Sequence, residues 1–262
     1  MKSTLDQIND IKNHGYTLDF SNVFNHAFEN YKKIALYAGL ILLVFSILFG
    51  LIAYGALGAI IGFDKLTNAN IMSIKPENLS QIHLIYYIVV SAFVSAIFSP
   101  FTAGFLKMAD CADKDQEFNV STIFSYYRTH HFSQIFFATF IISLTSVVIT
   151  SLLEIQKLNS LGLLVSLTIT FFTFLTLPLI IFGNLSAFNA IKSSFIIISK
   201  QPLVLLGLMI MVVAAFFVGL IALCIGILFT SPFTYSMTYA IYCAIFNIDK
   251  EDPIDSIGQS DF

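Results

Sequence analysis

The sequence predicts an all-α polytopic membrane protein: six transmembrane helices in three repeated units, each preceded by an amphipathic helix at the cytoplasmic interface. Three observations lead there. Of the 262 residues, 57% are hydrophobic and only 11% charged, and the mean hydropathy is +0.83. A soluble domain carries about 25% charged residues, so charge is too scarce here to cover a surface facing water. The apolar residues also gather into runs of twenty or more, the length that crosses a hydrocarbon core about 30 Å thick. Finally, one pattern recurs three times ahead of such runs, a polar cap followed by apolar residues at helical spacing. The copies are Asp19-Phe20-Ser21-Asn22-Val23-Phe24, Asn119-Val120-Ser121-Thr122-Ile123-Phe124 and Asn184-Leu185-Ser186-Ala187-Phe188.

Composition also excludes classes. A net charge of −3, with no basic stripe to neutralise phosphates, argues against nucleic acid. The cysteines, Cys111, Cys224 and Cys243, are odd in number and lack CxxC spacing, which argues against a disulfide framework or a zinc site. The first thirty-three residues hold no short apolar core and no small-residue cleavage site. The expectation is that no signal peptide is removed and that the first span directs its own insertion.

Residues 1–18 read as a polar lead-in to a single membrane domain over 19–247. Its repeat units are about 19–110, 119–183 and 184–247, and an acidic mobile tail covers 248–262. From Asp19, the residues Phe20, Val23, Phe24, Ala27, Phe28 and Tyr31 form one helical face, and Asn22, Asn25, Glu29 and Asn30 the other. Asp19 or Ser21 is positioned to cap it, and a segment this short lies at the interface rather than spanning. The first span runs from about Ile34 to Gly62. Its small-residue pairs Ala35/Gly39, Ser46/Gly50 and Gly58/Gly62 predict close packing on a neighbouring helix. A polar loop over 63–81 follows, then a second span from about Ile82 to Met108 and a charged linker from Asp110 to Glu117.

The second unit places Ile123, Phe124 and Tyr127 on its apolar face, with a third span at about Phe132–Leu153, a tight turn, and a fourth at about Leu161–Phe182. The third unit places Phe188, Ile191, Phe195 and Ile198 on one face. An apolar run then extends from Leu203 to Phe229, followed by Ser231-Pro232-Phe233 and Thr234–Phe246. Either Ser231 caps a returning helix with Pro232 at its first position, or the break falls earlier, at Gly219 or Gly226; both give six crossings. Kinks are expected at Pro100, Pro178 and Pro232, the first two at matching places near the inner ends of their spans. Basic residues divide ten to three between the two sides of this topology, which places both termini in the cytoplasm of a bacterial inner membrane.

No Asp, Glu, Lys, Arg or His lies well inside a span, which weighs against a proton-coupled pump or intramembrane hydrolysis. No Ser/His/Asp set, phosphate loop or HExxH appears either. The expectation is no catalytic, cofactor-binding or metal site, and no cofactor. His130-His131 is no exception: adjacent imidazoles on a helix diverge, and no third ligand is suitably spaced. Two hydroxyl stripes stand out, Ser143, Ser146 and Thr150 in the third span and Ser166, Thr170 and Thr173 in the fourth. They form a polar seam between paired helices or a groove for a lipid headgroup; the seam is the simpler reading, since Ser and Thr also bond carbonyls within their own helix. The basic cluster Lys32, Lys33, Lys107, Arg128, Lys192 and Lys200 suits anionic headgroups at the inner boundary.

The repeated cap before a span, the stretch Asn189-Ala190-Ile191-Lys192-Ser193-Ser194, and Pro232-Phe233 through Ala240-Ile241-Tyr242 carry a resemblance. Over most of 19–247 the chain resembles the YciC-like six-helix bacterial inner-membrane proteins and the membrane domain attached to some glycerophosphodiester phosphodiesterases. That resemblance implies a six-helix integral membrane protein without a known catalytic role; the phosphodiesterase domain itself is absent. The function expected is a non-enzymatic scaffold, an accessory subunit of a membrane complex or an envelope-integrity factor, whose partners are membrane lipids and other membrane subunits. The alternative is a carrier of a neutral or lipid-like substrate that uses the three proline kinks.

Overall fold

The computed structural model describes residues 3–63, 79–221 and 225–246, and every regular element among them is helical. The polar lead-in is itself a helix, α1 (Thr4–His14), capped by Ser3 and ended by Gly15 at φ +74°. Ile8 and Ile11, three residues apart, share its buried face, so the segment packs on the domain instead of trailing from it.

Asp19 caps α2 (Phe20–Ile61), its side chain accepting from the Asn22 amide at 2.8 Å. The amphipathic segment and the first span are therefore one continuous helix, not two. Forty-two residues rise about 63 Å, twice the thickness of a hydrocarbon core. Burial divides this length. Val23, Ala27, Asn30, Ile34, Ala38 and Ile41 are buried at spacings of three or four; beyond them Leu51 and Ile52 are two-thirds exposed. Asn30, expected on the outward polar face, lies on the buried stripe.

α3 (Gln81–Asp113) shows the same division in reverse, with Ile82 and Tyr86 exposed and nearly every residue from Ser99 to Ala112 buried. It also carries the expected linker residues Asp110 and Asp113 within its last turn. The core thus gathers where α2 begins and α3 ends, while the far halves present bare aliphatic surface. No aqueous protein leaves so large a contiguous apolar patch open; hydrocarbon is the solvent that fits it.

The second unit begins with a capping box at Asn119, but its helix α4 (Val120–Phe124) lasts five residues before a 3₁₀ turn at Ser125–Tyr127. α5 (His131–Ile155) and α6 (Asn159–Thr173) form the expected hairpin, and α7 (Thr176–Ile181) completes the fourth apolar segment after a break at Phe174–Leu175. Asn184 sits at φ +52°, in the left-handed region that asparagine tolerates. It ends α7; Ser186, not Asn184, takes the cap position of α8 (Ala187–Lys200). The first orphan amide of α8, at Ala187, is taken instead by the Gln134 side chain at 2.8 Å.

After α9 (Pro202–Ile221) come α10 (Ile225–Thr230) and α11 (Pro232–Phe246). Among the described residues, five segments are long and apolar enough to cross a membrane: Phe20–Ala59, Gln81–Asp113, His131–Ile155, Asn159–Ile181 and Pro202–Ile221. The fifth ends at Ile221, well before Phe229. α11 is buried from Pro232 to Ile245 on almost every face. It runs antiparallel to α2, with Phe229 beside Gly39, Phe233 on Tyr31 and Tyr239 on His26.

Of the small-residue pairs, Gly39 admits the Phe229 ring, Gly58 meets Phe63 of its own loop, and Gly50 faces open space. The tightest backbone approach is at Gly104. A Cβ there would stand 2.1 Å from the Ile123 carbonyl oxygen and 2.4 Å from its Cα. Backbone cannot swing aside as a side chain can, so Gly104→Ala must displace α4 and is expected to cost about 1–3 kcal/mol. Gly50→Ala, in a solvent- or lipid-facing helix interior, is expected to be neutral or to stabilise by up to about 1 kcal/mol. Thermal unfolding of the two variants in detergent checks the contrast; equal midpoints would contradict it.

Candidate functional site

The polar residues of the core converge on Asp110, which is 3% exposed in the last turns of α3. Lys107 and Lys114 lie three residues before and four after it, the spacings that put them on its own helix face. Both ammonium groups reach the carboxylate at 2.7 Å, one per oxygen. The Tyr239 hydroxyl of α11 donates to Asp110 Oδ1 at 3.2 Å and to Asp113 Oδ2 at 3.3 Å, bridging the two acids. From α2, His26 Nε2 pairs with Asp113 Oδ1 at 2.7 Å. One turn further, Asn30 donates to the Ala109 carbonyl at 2.8 Å and accepts from Ser236 Oγ at 2.8 Å. Lys33 reaches the Ala112 carbonyl at 3.0 Å and Asp115 at 2.6 Å. Three helices far apart in sequence are tied by these groups at one level.

Burial pulls the Lys114 ammonium down, but the Asp110 carboxylate more than offsets it, so Lys114 titrates above an ordinary lysine. Both Asp110 oxygens are occupied by cations, and the buried Cys243 thiol lies beside the same Tyr239 and Lys114. The arrangement is a clamp: it holds helices and leaves no lone pair aimed at open space.

A second set of ties sits at the prolines. Pro100 has no N–H for the Ala96 carbonyl, four residues back; Ser99 Oγ takes that carbonyl at 2.7 Å. Beside it, the Tyr127 hydroxyl donates to the Ile97 carbonyl at 2.9 Å. Where α6 breaks ahead of Pro178, Ser194 of α8 donates to the Phe172 carbonyl at 2.8 Å. Where α10 breaks ahead of Pro232, Tyr31 of α2 donates to the Phe229 carbonyl at 3.1 Å, while Ser231 bonds back to the Ile227 carbonyl at 2.6 Å. At the two breaks a hydroxyl from another element takes a nearby carbonyl, whereas the Ala96 carbonyl freed by Pro100 is taken by Ser99 of its own helix.

The residues singled out by sequence divide between roles. Pro100, Pro178 and Pro232 are all buried at the places just described. Ser143, Ser146, Thr150, Ser166 and Thr173 are half-buried, whereas Thr170 is exposed. Thr150 bonds the carbonyls of Ser146 and Val147, and Thr173 that of Ile169; among the described residues no hydrogen bond joins the two stripes. The basic cluster is not gathered in one place. Lys33 and Lys107 belong to the clamp, Lys32 pairs with Glu29 at 2.6 Å, and Arg128, Lys192 and Lys200 are exposed. The His130 and His131 rings, expected to diverge, lie 3.8 Å apart between centroids.

Sequence reasoning missed Asp110, Asp113, His26, Ser236 and Tyr239. The signal for Asp110 was present as the Lys107/Asp110/Lys114 spacing; nothing local marks Ser236 or Tyr239, whose partners lie more than a hundred residues away.

Fold and site together define a multi-pass helical membrane protein clamped at one end by buried polar groups. Comparison with protein-family models, with curated proteins and with solved structures finds no match.

The clamp predicts an asymmetry. With Asp110→Asn, the half-exposed Lys107 and Lys114 return to solvent and the loss is about 1 kcal/mol. The double variant Lys107→Met/Lys114→Met leaves a buried carboxylate uncompensated and is expected to cost about 3–5 kcal/mol. Chemical unfolding in detergent ranks them, and the reverse order would refute the clamp. The breaks predict a second series: Tyr31→Phe and Ser194→Ala each remove the donor from a part-buried carbonyl and should each cost about 1–3 kcal/mol. Thr168→Val, whose hydroxyl only bonds its own helix at Leu164, serves as the control and is expected to fall within about 0.5 kcal/mol of the parent.

Proposed function

We propose that the protein is a non-enzymatic scaffold or accessory subunit of a bacterial inner-membrane complex, with both termini in the cytoplasm. The observation that carries this reading is the filled, cross-tied centre. A carrier working through its prolines needs hinges that open; here the breaks at Pro178 and Pro232 are each tied by a hydroxyl from another element, and Ser99 takes the carbonyl that Pro100 frees inside a continuous α3. The clamp likewise offers no vacant acid or base.

The topology in this proposal has six crossings in three units. Five are the long apolar segments; the sixth is α10 and α11 acting together, whose combined rise is about 33 Å. A Cβ on Gly219 would stand 2.8 Å from Ile227 Cα, so α10 folds straight back along α9, as a returning crossing requires. The excess of lysine and arginine on the side of the termini supports the orientation. Exposed Arg128, Lys192 and Lys200 remain free to meet anionic headgroups there.

The test has two parts. Reporters that are active only in the cytoplasm, fused at Met1 and after Phe246, should both be active; activity at one end alone removes the six-crossing topology. Gentle detergent extraction of the tagged full chain should recover stoichiometric membrane-protein companions. A solitary protein that moves a neutral solute or lipid across reconstituted vesicles would instead establish the carrier.

A further inference from the structure

Between α2 and α9 runs an open groove of about 310 Å³, at the lower end of the range for small-ligand sites. Its walls are Phe24 and Phe28 of α2, Met211, Ala215 and Val218 of α9, and Phe233 of α11. Only two hydroxyls border it, and both are spent on backbone: Tyr31 donates to the Phe229 carbonyl at 3.1 Å, and Thr230 to the Ile227 carbonyl at 3.4 Å. A ligand that needs hydrogen-bond donors therefore finds none here. One turn of a helix about 10 Å across takes up on the order of 400 Å³, more than the groove offers. A single hydrocarbon chain is thinner.

The groove opens onto surfaces that already face hydrocarbon. On α9, Ile210, Val213 and Phe217 are each more than half exposed, and α2 and α9 are both long and apolar enough to cross a membrane. At the rim stands the exposed Lys32, paired with Glu29 on its own helix at 2.6 Å: its Nζ lies 5.6 Å from the centroid of the Phe28 ring. We propose that this groove binds one acyl chain of a membrane phospholipid, with the headgroup phosphate against Lys32. The inference needs only that the chain is embedded in a bilayer; it stands whether the protein is a scaffold or a carrier.

The chain contains no tryptophan, so one introduced indole reports alone. Phe28→Trp places it in the groove, and Phe217→Trp places it on the outward face of α9 as a measure of ordinary annular lipid. Should Phe28→Trp fail to fold, Val218→Trp replaces it. Each full-length variant is reconstituted in phosphatidylethanolamine–phosphatidylglycerol vesicles containing a few per cent of phosphatidylglycerol with brominated chains. The groove indole should be quenched at least threefold more than the annular one. Filling the slot with Ala215→Phe should bring it down to the annular level, and Lys32→Gln should lower the excess at least twofold. Equal quenching at the two positions, or an excess that survives Ala215→Phe, would overturn the site. An equal excess from brominated diacylglycerol, which carries no phosphate, would overturn the contact with Lys32.

Discussion

A carbonyl left without a donor inside hydrocarbon costs several kcal/mol, because no water is present to take the place of the missing N–H. That single requirement orders much of this fold. Pro178 and Pro232 stand where helices break, and the Phe172 and Phe229 carbonyls beside those breaks accept from Ser194 and Tyr31. Pro100 lies inside the continuous α3, where Ser99 of the same helix takes the Ala96 carbonyl that the proline leaves without a donor. The two repairs that come from other elements are also tertiary contacts. A break in secondary structure becomes a reason for two distant elements to stay together, and it fixes their relative height along the bundle to within the length of a hydrogen bond.

The clamp around Asp110 works at a different cost. Withdrawing a carboxylate from water is expensive, and the attraction of two lysines offsets it only when the geometry is good. Here the lysines come from the same helix, one on each side, so their positions are set by α3 alone. Tyr239 then reads that prearranged group from α11, and Asn30 of α2 bonds the neighbouring Ala109 carbonyl. Lys107 and Lys114 remain half in solvent, which spares them the full desolvation that the acid bears. The cluster therefore specifies which helices meet, and at what level, more than it adds to stability.

How far the sequence disclosed this depends on range. Class, helix content and most span positions were legible because they rest on composition and on periodicities a few residues long. The caps at Asp19 and Asn119 were legible for the same reason. Asn184 was not: Asn can cap a helix start or tolerate φ +52° at a helix end, and only the path of the chain decides between them. Asn30 was misread because its neighbours Asn22, Asn25 and Glu29 are polar. Its register with Val23, Ala27 and Ile34 nevertheless placed it on the buried stripe. The repairing hydroxyls were invisible, since Tyr31 lies nearly two hundred residues before the carbonyl it serves. The hydroxyl stripes drew attention by their regularity, yet Thr150 and Thr173 turn inward on their own helices. Regular spacing along a helix says which residues share a face, not what that face meets.

The length of α2 connects these points. A helix that rises about 63 Å has more backbone than one bilayer needs, and its two halves have different surroundings. From Phe20 to Ile41 it is packed by α3, α9 and α11, and its polar residues His26, Asn30 and Lys33 all have partners there. Beyond Ile41 no polar tie to another helix is found among the described residues, and the surface is bare aliphatic. Ser46, the one hydroxyl in that stretch, bonds its own helix at Leu43. A helix can cross oil unaccompanied because its backbone satisfies itself, so the far half needs no tertiary polar contact. The near half carries polar side chains that oil would reject, and each must find a partner in protein. The position of the core within the bundle thus follows from where in the first sixty residues the polar side chains stop.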